Sequence, residues 1–327
     1  MFSNMHSFYC EFLSTMQVKK IDTTTQQKYK NEHRPISFGD FVGQEDSVRV
    51  IKTAISSSQK WWHPLGHMLL LGPAWYGKTT LAQIIAHELW AHCKVVTAYA
   101  INKPADIISL LNTLQEWDIL FIDEIHRLIP KIEEMLYTAM EDFVIDMVMP
   151  DGWHVRIPIQ PFTLIGATTK SDSLSKPLKS RFIYRFHFVD YTDTEKQRIV
   201  WYYLKKLGMS FEPLDIARFS RILENVPREL HNGCVRMFDY LTAHHQHLTL
   251  SAAIIDQFTD RNKAQEGGLT PLHQAYLDVL QWAGKPLWLK TIAIKMGLHE
   301  KTVEEEIEPL LIKMWLVDKV TNGRVIN

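Results

Sequence analysis

Eight residues, Gly72-Pro73-Ala74-Trp75-Tyr76-Gly77-Lys78-Thr79, carry the sharpest chemical signal in the chain. They fit the pattern GxxxxGK[ST] and stand between an apolar run, HMLLL at 67–71, and the helical stretch TLAQIIAHEL. A loop in that setting turns its backbone N–H groups, together with the start of the helix, toward nucleotide phosphates. Gly72 and Gly77 let the loop close on the phosphates, and Lys78 supplies a point charge toward the β- and γ-phosphates. The Thr79 hydroxyl is the expected Mg²⁺ ligand, and Thr80 completes the first helical turn beside it. The cofactors this predicts are ATP and Mg²⁺.

Downstream, the run LFIDE ends an apolar strand on Asp123-Glu124. Burying unpaired carboxylates is costly, so two acids at this point suggest a bound cation and a reacting water. Asp123 is expected to hold Mg²⁺ through water, and Glu124 to polarise the attacking water. Two further segments are weaker taken alone. A hydroxyl in Gly166-Ala167-Thr168-Thr169, after the strand FTLI, would sit at the tip of a strand adjoining that of Asp123. An arginine in the loop Pro177-Leu178-Lys179-Ser180-Arg181-Phe182 would act on a neighbour's γ-phosphate, or would simply face solvent. Val226-Pro227-Arg228 marks a helix start and is unremarkable by itself.

Positioning these groups requires strands whose ends lie side by side. Apolar runs at 67–71, 93–99, 118–123 and 162–167 alternate with helical patterns, the signature of a parallel sheet covered on both faces. Between the last two runs, IDMVMPDGWHVRIPI reads as a β-hairpin turning at Asp151-Gly152, with Pro158 on an edge strand. Residues 190–264 show helical spacing throughout. Gly267-Gly268 suggests a linker, and beyond it come helices and two short runs around Thr321-Asn322-Gly323, a winged-helix pattern. The fold class expected is α/β. Its parts would be a poorly ordered leader (1–30), a P-loop domain (31–188) with the hairpin near 144–159, a helical lid (189–264) and a winged helix (265–327).

Composition sets the outer bounds. A hydrophobic share of 46% and a charged share of 22% over 327 residues suit a soluble protein of two or three domains. A net charge of −1 means that any nucleic-acid contact must come from local basic patches. Cys10, Cys93 and Cys234 share no ligand spacing and read as free thiols in a reducing compartment. The first residues lack the basic and apolar regions of a signal peptide, and no run approaches the ~18 apolar residues of a membrane span. A cytoplasmic location follows. The cluster His244-His245-His247 reads as solvated helix, and the ten tryptophans, Trp61-Trp62 among them, read as packing residues.

The motifs, in this order, resemble the RuvB family of the AAA+ class, bacterial ATPases that drive Holliday-junction branch migration. The runs that carry the resemblance are HRPISFGDFVGQ (33–44), LFIDEIHRLIP (120–130), EEMLYTAMEDF (133–143), IQPFTLIGATTKSDSLSKPLKSRF (159–182) and EPLLIKMWLVDKVTNGRV (308–325). The resemblance implies that Thr169 is sensor 1, that Arg181 is the arginine finger lent to a neighbouring subunit, and that Arg228 is the sensor-2 arginine. It implies that Arg34 and Pro35, with Phe41, Val42 and Gly43, flank the adenine base. It further implies a hexameric ring on duplex or junction DNA, Arg324 of the wing as a DNA contact, and a hairpin that docks a RuvA-like junction-binding partner through Val155 and Ile157. The chain departs from the family pattern GPPGLGKT at Ala74, Trp75 and Tyr76, has Lys179 where arginine is usual, and has a shorter hairpin and a thinner basic wing. If the Trp75 backbone needs a positive φ, a side chain there costs about 1–2 kcal/mol. The alternative function is a diverged relative that binds nucleotide and assembles but hydrolyses ATP poorly.

Overall fold

The computed structural model describes residues 33–148, 154–244, 247–263 and 265–327. The expected leader, Cys10, the Asp151-Gly152 turn and His245 lie outside them. The chain divides into a unit Met1–Pro35 and a unit Ile36–Asn327. Everything that follows concerns the second unit unless stated.

Five parallel strands form the central sheet: β1 (Met68–Leu71), β2 (Cys93–Thr97), β3 (Ile119–Asp123), β6 (Thr163–Thr168) and β7 (Tyr184–His187). Their order is β2-β3-β6-β1-β7, so β6 separates the ends of β1 and β3. Every residue of β1 and of β6 is buried, as expected where helices cover both faces. One face carries Met68, Leu70, Phe121 and Ile165 against helix Lys78–Leu89, and that core runs on into the helices of 193–262. The other carries Leu69, Leu120, Ile122 and Leu164 against helices Pro104–Asn112 and Pro130–Glu141.

The fifth strand, β7, was not among the four read from the sequence. Its residues Tyr-Arg-Phe-His bury only Phe186, because β7 is an edge strand paired with β1 alone. Such a strand shows no apolar run. The hairpin is present, with β4 (Val144–Val148) antiparallel to β5 (His154–Pro158) and Pro158 opposite Val144 at its base.

Helices Asp193–Lys206, Pro213–Arg221, Pro227–His244 and Ala252–Asn262 follow the sheet. Thr192 and Glu195 cap the first reciprocally, side chain to backbone, and so fix where the chain leaves the sheet. The Gly267-Gly268 linker is packed rather than open. Gly268 has φ 84°, and a Cβ there would lie 2.6 Å from the Glu224 backbone nitrogen.

The C-terminal part has its own core of Tyr276, Leu280, Ile292, Ile307, Leu311 and Val317. Helices Pro271–Ala283 and Leu289–Met296 precede a third built from Glu300–Thr302, a π-turn at Val303–Ile307, and Glu308–Lys313. Pro309 has no N–H to donate, and the helical ladder shifts its spacing just before it. The third helix exposes Glu300, Glu304, Glu305 and Glu306. Strands β8 (Val317–Val320) and β9 (Gly323–Ile326) form the wing, and Leu287 bridges to Arg324 as a third edge.

The reading of the tryptophans as packing residues is corrected. Among the described residues no tryptophan belongs to the buried core, and Trp61 and Trp62 are 70% and 76% exposed. No helix among the described residues is long and apolar enough to cross a membrane.

Candidate nucleotide site

The loop 72–77 leaves the C-terminal end of β1, the strand that β6 and β7 flank. Gly72 has φ 148°, and a Cβ there would lie 2.7 Å from Phe188 Cβ, so the loop can start only from glycine. Gly77 caps the helix Lys78–Leu89 in the left-handed conformation, without a side-chain cap. Its free N-terminal N–H groups are available to an anion. Thr79 and Thr80, both half-buried, lie in this first turn.

Lys78 is 5% exposed, and its ammonium donates to the carbonyls of Gly72 at 2.7 Å and Pro73 at 2.6 Å. Burial pulls the Lys78 pKa down, while the charges of Glu124 and Asp123 oppose that shift. A buried lysine facing two carboxylates is a cation kept for a further anion. Asp123 ends β3, and burial raises its pKa, although its carboxylate accepts the Glu124 backbone N–H at 3.0 Å.

Glu124 follows in the left-handed region, φ 52°, a strained position for a side-chain-bearing residue. That turn carries its carboxylate toward the end of β6. There it accepts the Thr169 hydroxyl at 3.3 Å and meets His126 Nδ1 at 3.1 Å. His126 Nδ1 also lies 2.8 Å from the hydroxyl of the fully buried Thr168. His126 was not singled out from sequence, and of the two hydroxyls in Thr168-Thr169 only Thr169 was given a role, although all three residues lie inside the quoted family runs. Their roles arise from side chains that meet only once β3 and β6 are paired.

Arg228, the second residue of helix Pro227–His244, places its guanidinium 5.3 Å from the Trp75 ring centroid. The Trp75 backbone has φ 68°, so the left-handed condition raised by the sequence holds. Phe41 and Val42 pack partly buried against the sheet core, and a Cβ on Gly77 would lie 3.3 Å from the Phe41 ring. Gln44 clamps this segment to the end of β7, accepting the Val189 N–H at 3.0 Å and donating to its carbonyl at 2.7 Å. Arg34 and Pro35 belong to the N-terminal unit, outside helix and strand.

Three expected residues stand differently from the reading. Arg181 is the last residue of a helix, Lys176–Arg181, rather than part of a loop. It binds the Pro177 carbonyl at 2.9 Å and Glu141 at 3.1 Å, with its guanidinium 4.4 Å from the Tyr137 ring centroid. Arg324 turns inward: its side chain is 14% exposed and bonds the buried Glu308 at 2.9 Å, alongside Lys319 at 3.0 Å and Tyr276 at 2.9 Å. Burying Glu308 requires such partners, so the Arg324 guanidinium is engaged in the winged-helix interior in this structure. On the hairpin, Val155 is exposed, whereas Ile157 pairs with the buried Ile145 and packs on the sheet core.

Strand order, phosphate loop, and the helical and winged-helix parts that follow define the AAA+ class of P-loop ATPases. The profile described as the Holliday junction DNA helicase RuvB P-loop domain matches residues 33–188, and that of the RuvB C-terminal winged-helix domain matches residues 266–327. The chain is 36% identical to the Holliday junction branch migration complex subunit RuvB of Campylobacter fetus, covering 95% of this chain and 91% of that one. The subunit of the same description from Latilactobacillus sakei is 38% identical, over 90% and 89% of the two chains. Among solved structures, the Thermotoga maritima RuvB Holliday junction branch migration motor superposes with TM-score 0.75 at 32% identity, over 90% of this chain and 95% of that one. The chain belongs to the RuvB family.

Proposed function

We propose that the protein is an ATP-driven DNA motor that moves Holliday junctions as a ring of subunits in the cytoplasm. The observation that carries this reading is the convergence of Lys78, Asp123, Glu124 and the Thr169 hydroxyl at the adjoining ends of β1, β3 and β6. The working parts are a P-loop domain (31–188), a helical lid (189–264) and a winged helix (265–327).

The donor set suits Mg²⁺: Asp123 is a carboxylate at a half-buried strand end, and Thr79 offers a hydroxyl at the helix start. Bound there, the ion would neutralise charge on the β- and γ-phosphates. Lys78 exchanges its two loop carbonyls for phosphate oxygens. Glu124 accepts a proton from water as that water attacks, and Thr169 orients the carboxylate and the water together. Arg228 reads the γ-phosphate from the lid, and Phe41 and Val42 flank the base. Arg181 reaches the nucleotide of the next subunit once it leaves Glu141.

The hairpin docks a RuvA-like junction-binding partner, with Val155 as its exposed apolar contact and Ile157 supporting it from below. The ring is a hexamer around duplex DNA. The deciding experiment is junction migration with ATP, Mg²⁺ and such a partner, with Glu124→Gln as the zero baseline. Migration no faster than that baseline would sink the motor reading. The second reading, a nucleotide-dependent assembly protein with little turnover, is favoured by the strained Trp75 in the phosphate loop and applies to a chain that carries tryptophan there. Rings that form on ATP but release no phosphate, with or without DNA, would establish it.

A further inference from the structure

Tyr76, inside the phosphate loop, is only 3% exposed, and its contacts lead away from the nucleotide site. Its hydroxyl donates to Asp190, just beyond β7, and accepts from the Lys313 ammonium at 2.6 Å. Lys313 also reaches Asp190 directly at 2.7 Å. Lys313 ends the third helix of the winged-helix part, so one side chain of the phosphate loop is fastened to a domain 237 positions away. From the other side, the Tyr191 hydroxyl donates to the Tyr76 carbonyl at 2.9 Å. An exposed ion pair between Lys313 and Asp190 alone would contribute little. The phenol changes that, because a buried hydroxyl must be satisfied, and the residue bearing it is followed directly by Gly77 and Lys78.

We propose that Lys313 and Asp190 are positioning residues for nucleotide binding: they hold Tyr76, and with it the loop, in its phosphate-binding shape. Nucleotide affinity then depends on the seating of the winged helix, and by reciprocity bound nucleotide holds the winged helix down. The proposal rests on the reading of the loop as the nucleotide site.

The test uses the full chain, a fluorescent ADP analogue and steady-state ATPase with and without duplex DNA. Lys313→Gln raises the nucleotide Kd and KM about fivefold, the weight of one charge-assisted hydrogen bond at a partly exposed position. The turnover number moves less than KM. Lys313→Arg restores most of the affinity, and Lys313→Gln combined with Tyr76→Phe is no weaker than the weaker single variant. Wild-type affinity in Lys313→Gln, or fully additive losses in the pair, would overturn the proposal. Failure of the unmodified protein to bind the analogue would instead remove the reading of the loop itself.

A separate observation concerns the backbone. Nine non-glycine residues among those described have positive φ, and five of them are tryptophan: Trp62, Trp75, Trp90, Trp117 and Trp315, with φ 51°, 68°, 57°, 70° and 58°. Trp62 and Trp90 end helices at the position where glycine normally stands. An indole there costs about 1–2 kcal/mol, and burial returns little: Trp62, Trp75, Trp90 and Trp315 are 55% to 91% exposed. The chain meanwhile has ten tryptophans and only 14 glycines in 327 residues, against a usual glycine share of about 7%.

We infer that these five positions are glycine in the protein as its own cell makes it, through a UGA codon read as glycine. UGG is read as tryptophan, whereas UGA is read as stop, tryptophan or glycine in different translation systems. Peptide mass spectrometry of the protein from its natural source should find glycine at all five. Tryptophan at those positions, or UGG as their codon, overturns the inference.

Discussion

Thr169 donates its hydroxyl to the Glu124 carboxylate at 3.3 Å, and its backbone N–H approaches the same oxygen at 3.5 Å. The residue just past β6 thus holds the acid just past β3. Thr169→Val should leave ATP affinity within about twofold and lower turnover by about 10²-fold, the weight of a misplaced general base. Phosphate release under saturating ATP measures it. A variant that turns over normally would remove Thr169 from the chemistry.

Arg181 spends its bonds within its own subunit, on Glu141 and Pro177. If it also serves a neighbour, Arg181→Ala should abolish turnover by about 10³-fold or more while nucleotide binding persists. Mixing the variant with subunits carrying Glu124→Gln provides the check, since each type then holds what the other lacks. Mixed rings that recover no activity would place Arg181 outside the shared site.

Trp75 occupies a backbone position that suits glycine. Trp75→Gly should raise stability by about 1 kcal/mol by removing the strain. It also frees Arg228 from the indole. Calorimetric titration with ATP should therefore show equal or tighter binding. Weaker binding would mean that the stacked arginine itself helps to hold nucleotide.

Glu308 gives the winged helix a pH dependence. Burial pushes its pKa up, but the hydrogen bonds from Arg324, Lys319 and Tyr276 outweigh burial and hold it below the ordinary 4.5. A depressed carboxylate contributes stability above its unfolded value, and that stability fades as pH falls through the folded one. Thermal melts of the unmodified protein should thus drop below pH 4.5 more steeply than those of Glu308→Gln. Arg324→Met should cost about 1.5–3 kcal/mol at neutral pH, the weight of a lost hydrogen bond to a charged group, because Lys319 and Tyr276 still hold Glu308. A stable Arg324→Met protein that has lost only DNA binding would make Arg324 a DNA contact rather than a support of Glu308.

The site was legible in the sequence to the extent that its parts are contiguous. Gly72 to Thr79 and LFIDE each carry their chemistry in one short run, and apolar flanks announce the strands that present them. The edge strand was not legible, since its four residues alternate aromatic and polar side chains over too short a stretch to stand out and offer no apolar run. Nor was the fate of Arg324, whose partner Glu308 lies on a different element and is indistinguishable in sequence from the exposed acids around it. Tyr76 read as a departure in the loop because its partners, Asp190 and Lys313, become neighbours only when the winged helix is seated.

On the third C-terminal helix Glu304 and Glu305 are paired with Lys319 and Lys301, so the local repulsion of a polyanion comes from the exposed Glu300 and Glu306. Were a duplex to engage this domain, those two acids would act as a fender and turn it toward another side. Added salt would weaken lysine–phosphate attraction elsewhere yet also soften this repulsion. Affinity should consequently fall with ionic strength less steeply than the tally of cationic contacts alone would give.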